Sequence, residues 1–232
     1  MGGGVYWNGS AGIISSSNFI GNIVNDTGGG VYWNGTKGIL TGCTFTDNSA
    51  LCAGGVYWLG VNGTLTGCTF TGNNATNNGG GLRWNADNGV VSNSNFINNV
   101  ASITNGGGVD WGVNKGILTY CNFTNNRANN GGAINFYSPN SKISGCIFTN
   151  NNAKNAGGAI YLANANSTVI DSNFTNNTAG NLGGGVFWNG LNGILTDCTF
   201  TDNTAVNHNG GGVFWNGLNG ILTGCYFTDN FA

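Results

Sequence analysis

Arg83 and Asp110 stand 27 residues apart, with Asp87 a few residues after the first and Lys115 a few after the second. A carboxylate beside fixed cations is the equipment for moving protons on a sugar ring. Such chemistry needs convergent carboxylates with perturbed acidities. The chain holds eight acidic residues, all Asp, and they are scattered along its length. Arg83 and Asp110 therefore read as an outward ion pair, worth about 0 to 1 kcal/mol. The residues that share their frame are aromatic: Tyr6, Tyr32 and Tyr57 before them, Tyr161, Phe187 and Phe214 after. Exposed rings in a row would suit sugar faces and protein partners. Rings in adjacent strands also stabilise a sheet simply by stacking on each other.

Those residues recur because the chain repeats itself. "GGGVFWNGLNGILTDCTFTDN" (Gly183 to Asn203) returns as "GGGVFWNGLNGILTGCYFTDN" (Gly210 to Asn230). The aliphatic residue after each Gly run marks nine units: Val5, Val31, Val56, Leu82, Val109, Ile134, Ile160, Val186 and Val213, at steps of 25 to 27 residues. A small aliphatic residue (Val24, then Ala50 to Ala232) always follows 19 residues later, so all length variation falls in the return segment. A rigid frame with one tolerant loop behaves this way.

Within the frame, side-chain direction follows from what each column tolerates. The first marker is always aliphatic and points inward. The next column, that of Tyr6, Arg83 and Asp110, accepts charge and is assigned outward. The third is inward again and holds all seven Trp, with Phe136 and Leu162 in the other two units. A period of two is a strand. A glycine-bearing turn follows. A second strand buries the column Ile14 to Leu222, and a third buries the column Phe19 to Phe227. Asn stands three residues after every one of these Phe, from Asn22 to Asn230.

Three short strands and three turns per unit predict an all-β, right-handed parallel β-helix, a β-solenoid of nine coils in one domain spanning 1–232. Strands about 4.8 Å apart would make it a rod roughly 43 Å long. Helical repeats fail for want of a 3.6-residue apolar period, and propeller blades need about 40 residues. The Asn column is expected to form an amide ladder from coil to coil.

Charged residues make up 6% of the chain and the net charge is −2, which points away from nucleic acid as partner. No apolar run reaches the roughly 18 residues of a membrane span, so no membrane insertion is expected of this segment. Six of the seven cysteines fall in one inward column as adjacent pairs, Cys43 and Cys68, Cys121 and Cys146, Cys198 and Cys225. Parallel neighbours hold their Cβ atoms near 4.8 Å, whereas a disulfide wants about 3.8 Å. Buried thiols are favoured, with disulfides left open. The column offers no fourth ligand and His208, the one histidine, sits in a loop. No metal and no cofactor is expected. Nine N-x-S/T sequons begin at Asn8, Asn25, Asn34, Asn62, Asn74, Asn122, Asn166, Asn173 and Asn176, in keeping with an extracellular setting. Thr pairs such as Thr44 and Thr46 flank the buried Phe, but Asn18, Ile147 and Tyr226 break the rank, so an ice-binding array is not the reading. Met1 directly precedes mid-unit text, and the chain reads as a piece excised from a longer surface protein. Its open coil edges would favour end-to-end self-stacking.

The "GGAI" units (Gly131 to Ile134, Gly157 to Ile160) alternating with "FTDN", "FTNN" and "FTGN" resemble the repeat pair of chlamydial polymorphic membrane proteins. The longer phrase "GGGVYWNG…GILTGCTFTDN" resembles the adhesin-like β-helix proteins of methanogenic archaea, over the whole chain. The resemblance implies a cell-surface, non-catalytic segment that supports attachment to a host cell, a microbe or a glycan. Tyr6, Tyr32, Tyr57, Tyr161, Phe187 and Phe214 are the candidate ligand-binding residues from the residue pattern. The alternatives are a fragment of a β-helical polysaccharide lyase or glycosidase, and a purely structural spacer.

Overall fold

A computed structural model describes all of residues 1–232. The chain winds through the same sheets once per repeat, and every strand pairs in parallel with its equivalent one coil away. The first sheet holds nine strands, from Val5–Trp7 to Val213–Trp215. The second runs from Ile13–Ser15 to Ile221–Thr223 and the third from Asn18–Ile20 to Tyr226–Thr228, with nine strands each. Register is residue on residue: Val5 on Val31, Ile14 on Leu40, Phe19 on Phe45.

The coil has one element more than the three expected strands. A fourth sheet of seven strands, from Ser49–Ala50 to Thr204–Ala205, lies in the return segment. Most of its strands are two residues long, too short to display a period of two. They form because Ala50, Ala75 and their equivalents pack inward while their neighbours complete the backbone ladder.

The core is a set of stacked columns. Indole lies on indole at 4.5 to 5.2 Å from Trp7 to Trp111, and Phe on Phe at 4.5 to 5.1 Å from Phe19 to Phe227. These spacings equal one strand-to-strand step, so each coil offers the next a ready-made face. The buried columns form one continuous cluster of 38 residues.

Two polar devices hold the turns. In the Asn column the amide is fully used. Asn126 Oδ1 accepts from the Asn99 backbone N–H and from Asn99 Nδ2, at 3.0 and 3.1 Å. Asn126 Nδ2 donates to Phe96 O and to Asn151 Oδ1, at 2.9 and 3.0 Å. One side chain thus ties three coils together. In the Cys column the thiol hydrogen points at the carbonyl two residues back, as Cys43 Sγ does to Thr41 O at 3.3 Å. Ser94 and Ser172 donate to the equivalent carbonyls at 2.7 and 2.9 Å, which explains why Cys and Ser alternate there.

Candidate functional site

The flank of the first sheet is built from the central residue of each strand: Tyr6, Tyr32, Tyr57, Arg83, Asp110, Asn135, Tyr161, Phe187 and Phe214. The parallel register brings the six candidate rings into two strips. Tyr6, Tyr32 and Tyr57 stack at 5.0 and 5.5 Å, and Tyr161, Phe187 and Phe214 at 4.7 and 5.4 Å, with ring planes within 11° of parallel.

The expected exposure of these rings needs correction. Tyr32 is 7% and Phe187 9% exposed, Tyr57, Tyr161 and Phe214 are half-buried, and Tyr6 alone is open, at 52%. Near-parallel stacking covers both faces of an interior ring, so only ring edges and hydroxyls reach water. The flat platform that a sugar ring would lie on is already occupied by the neighbouring ring. Burial also raises the phenol pKa values. Tyr32 is shifted up by burial first, then by Tyr6, Tyr57 and Asp26 nearby, and Tyr161 by burial and then Tyr137.

Between the strips the outward ion pair is likewise corrected. Asp110 is fully buried, its carboxylate paired with the Arg83 guanidinium on one oxygen and receiving the Asn135 amide on the other. Arg83 is mostly buried too, and desolvation lowers its pKa from the usual arginine value. The space comes from Gly112. A Cβ there would meet Arg83 Nη2 at 2.9 Å and Asn85 Oδ1 at 2.8 Å, so a side chain would push the guanidinium out of its seat. Tolerance of charge in this column therefore reflects partnering rather than exposure. Asp87 and Lys115 do not join the pair: Asp87 Oδ1 accepts the Asn114 backbone N–H at 3.0 Å at the surface.

The seven cysteines are free thiols. Burial pushes Cys68 and Cys198 up to about 12 and raises Cys146 well above the ordinary thiol value. A buried protonated thiol is a space-filler, not a nucleophile. No three His, Cys or Asp side chains come together in a metal-binding group, and His208 is exposed in a return segment. All nine sequon asparagines are exposed. No helix is long and apolar enough to cross a membrane.

Sequence reasoning missed a second feature, a polar groove along the turn between the third and fourth sheets in coils four to seven, beside Asn98, Asn125, Asn150 and Asn176. Its signal was an Asn directly before the ladder Asn, at 98–99, 125–126, 150–151 and 176–177, where the other five units carry Gly or Asp.

Stacked parallel coils with residue-on-residue register define a β-solenoid. Residues 3–154 match the model of right-handed β-helix regions, and the chain belongs to that family. No curated protein and no solved structure matches it.

Proposed function

We propose that this β-helix is a non-catalytic segment of a cell-surface adhesin, an extracellular rod whose flank supports attachment to a host cell, a microbe or a glycan. The observation that carries this reading is the fate of the one carboxylate on the first-sheet flank. Asp110 is sealed against Arg83 and Asn135, where it has no route to a substrate proton. What the rod offers a partner is length and repetition: rows of similar side chains at one coil spacing, held on a stiff scaffold. The resemblance to adhesin-like repeats supports the same reading. In it, Tyr57, Tyr161 and Phe214 contribute ring edges to the contact surface, and Tyr6 a ring face.

The test is binding of the 232-residue chain to a glycan array and to whole cells, with release of soluble oligosaccharide followed in the same wells. Binding without product release is expected. Depolymerisation that disappears in Asp110→Asn would replace this reading with a lyase or glycosidase. Blank arrays together with unattached cells would leave a spacer.

A further inference from the structure

Several features converge on one stretch of the groove beside the third sheet. Its turn column carries Asn98, Asn125, Asn150 and Asn176 in successive coils, all exposed and all at positive φ of 54 to 56°. Asn tolerates this backbone well, and its amide stands out from the turn. Facing these amides is the outer column of the fourth sheet, Val100, Arg127, Asn152 and Thr178, across a groove of about 580 Å³. A second hollow of about 240 Å³ shares Val100, Arg127 and Asn152 and adds Lys154. Here, too, the fourth sheet widens: Arg127–Asn130 and Asn152–Ala156 are four and five residues long, with an irregular register between them.

Two cations line the hollows. Arg127 and Lys154 are two of six cationic side chains and, like every Lys and Arg except Arg83, have no carboxylate partner. Lys154 Nζ reaches two coils down to Ser102 O at 3.3 Å, which holds its ammonium over the same hollow as Arg127. The amides are largely unused. Asn176 Nδ2 donates to Asn150 Oδ1 at 2.7 Å, but Asn98 and Asn125 are free to offer donor and acceptor alike. At its far end the turn column becomes acidic, with Asp202 one coil beyond Asn176 and Asp229 beyond that.

We infer that this groove is a binding site for an acidic polysaccharide, with Arg127 and Lys154 taking a carboxylate or sulfate group and the Asn98, Asn125, Asn150 and Asn176 amides taking hydroxyls. The inference rests on the adhesin reading and names a ligand class and a site for it. Amides repeat at about 4.8 Å over three coil steps, roughly 14 Å, so the site is a row rather than a pocket. A row of groups that both donate and accept matches a chain with hydroxyls on each unit. Arg forks onto planar carboxylates and onto sulfates. A peptide is the poorer fit. The groove has one apolar lining residue, Val100, to anchor side chains, and the fourth-sheet strands beside it are already paired on both sides, leaving no edge for β-addition. Asp202 repels an anion at the far end, which places the acidic group at coils five and six.

The experiment uses the full chain made without N-glycans, because Asn176 begins a sequon within the groove. Binding is measured by calorimetry to hyaluronan oligosaccharides, to the same oligosaccharides with their carboxyls methyl-esterified, and to a poly-glutamate peptide. The variants are Arg127→Gln, Lys154→Gln and, on the other flank, Tyr57→Ala. The expected result is binding to the acidic sugar that weakens about tenfold with either cation variant and with raised salt, is lost on esterification, and is unchanged by Tyr57→Ala. Arg127 and Lys154 are exposed, so these variants leave the fold intact, which circular dichroism confirms. Equal binding of the esterified sugar, indifference to both cation variants, or preference for poly-glutamate would each overturn the inference. If cells and arrays still bind while the groove variants are silent, the site fails and the adhesin reading stands. If nothing binds anywhere, both fall.

Discussion

The residue before each second strand is Gly in all seven units that carry Trp, and Ser in the two that do not: Ser141 follows Phe136 and Ser167 follows Leu162. The structure gives the cause. A Cβ on Gly63 would lie 2.5 Å from Trp58 Cζ2 and Nε1, because the indole folds over the turn to donate from Nε1 to Gly60 O at 2.8 Å. The ring cannot retreat, since Trp33 and Trp84 stack on it at 4.6 and 4.5 Å. Gly63→Ala should therefore cost about 3 kcal/mol, the upper part of the range for overpacking in a rigid core. Trp58→Leu should cost about 2 to 3 kcal/mol through lost burial and an incomplete refill of the space. The pair together should cost at least about 2 kcal/mol less than the sum, because the new methyl enters the volume the indole leaves, as Ser167 does beneath Leu162. Urea denaturation measures the totals. Hydrogen exchange of amides in coils two to four localises the effect, since stacked repeats can open in parts. If the double variant matches the sum of the singles to within about 0.5 kcal/mol, the two positions are uncoupled and the steric account is wrong.

Other outcomes follow from the polar contacts. Asn126→Ala leaves the Asn99 N–H without its acceptor, takes one of two acceptors from the Asn99 amide and removes a donor from Phe96 O and from Asn151 Oδ1, and should destabilise by about 3 to 5 kcal/mol, read by denaturant midpoint; Asn22→Ala, at a half-buried rung, should cost less than half as much. Asp110→Ala strands a mostly buried guanidinium and should cost about 3 kcal/mol, whereas replacing the whole trio, Arg83→Met with Asp110→Leu and Asn135→Leu, should fall within about 1 kcal/mol of the parent, compared in the same melts. Cys52 and Cys225, half-buried, should react with a thiol reagent in the native state, while Cys43, Cys68, Cys121, Cys146 and Cys198 stay silent until unfolding. Cys68 and Cys198 have folded values near 12 against an ordinary 9.0, so the native state holds their protons longer than the unfolded chain. Their contribution is complete below pH about 9 and is lost as pH rises towards 12, so the urea midpoint should fall across that interval.

The first three strands of each coil were legible because large inward residues alternate with others, two flanking one in the first strand and one flanked by two in the second and third, and that alternation repeats in register nine times. The Asn ladder was legible for a simpler reason: no other residue stands there in any coil. The fourth sheet was not, because Ser49–Ala50 or Thr178–Ala179 is too short to carry a pattern, and its pairing depends on where the preceding Asn turn delivers the chain. The Trp–Gly correlation was present in the letters, but its meaning depends on the indole's rotamer, which a column of letters does not contain.

The flank of the first sheet shows where column reasoning stops. A column that accepts Tyr, Phe, Arg, Asp and Asn looks exposed, because a lone charge cannot be buried cheaply. Yet in a solenoid each position has two fixed neighbours, one coil above and one below, so a buried charge needs only its neighbour to change with it. Arg83, Asp110 and Asn135 occupy consecutive coils, and Gly112 supplies the room. Variation in one column is then compensated along the rod axis, within the same column, and says nothing about solvent. The same logic separates the two flanks. On the first sheet the odd residues pair with each other, guanidinium and amide both on the Asp110 carboxylate. Beside the third sheet Arg127, Lys154 and the exposed asparagines of coils four and five have no such mutual pairing, and donors and acceptors left open towards solvent along one groove are where a ligand has something to gain.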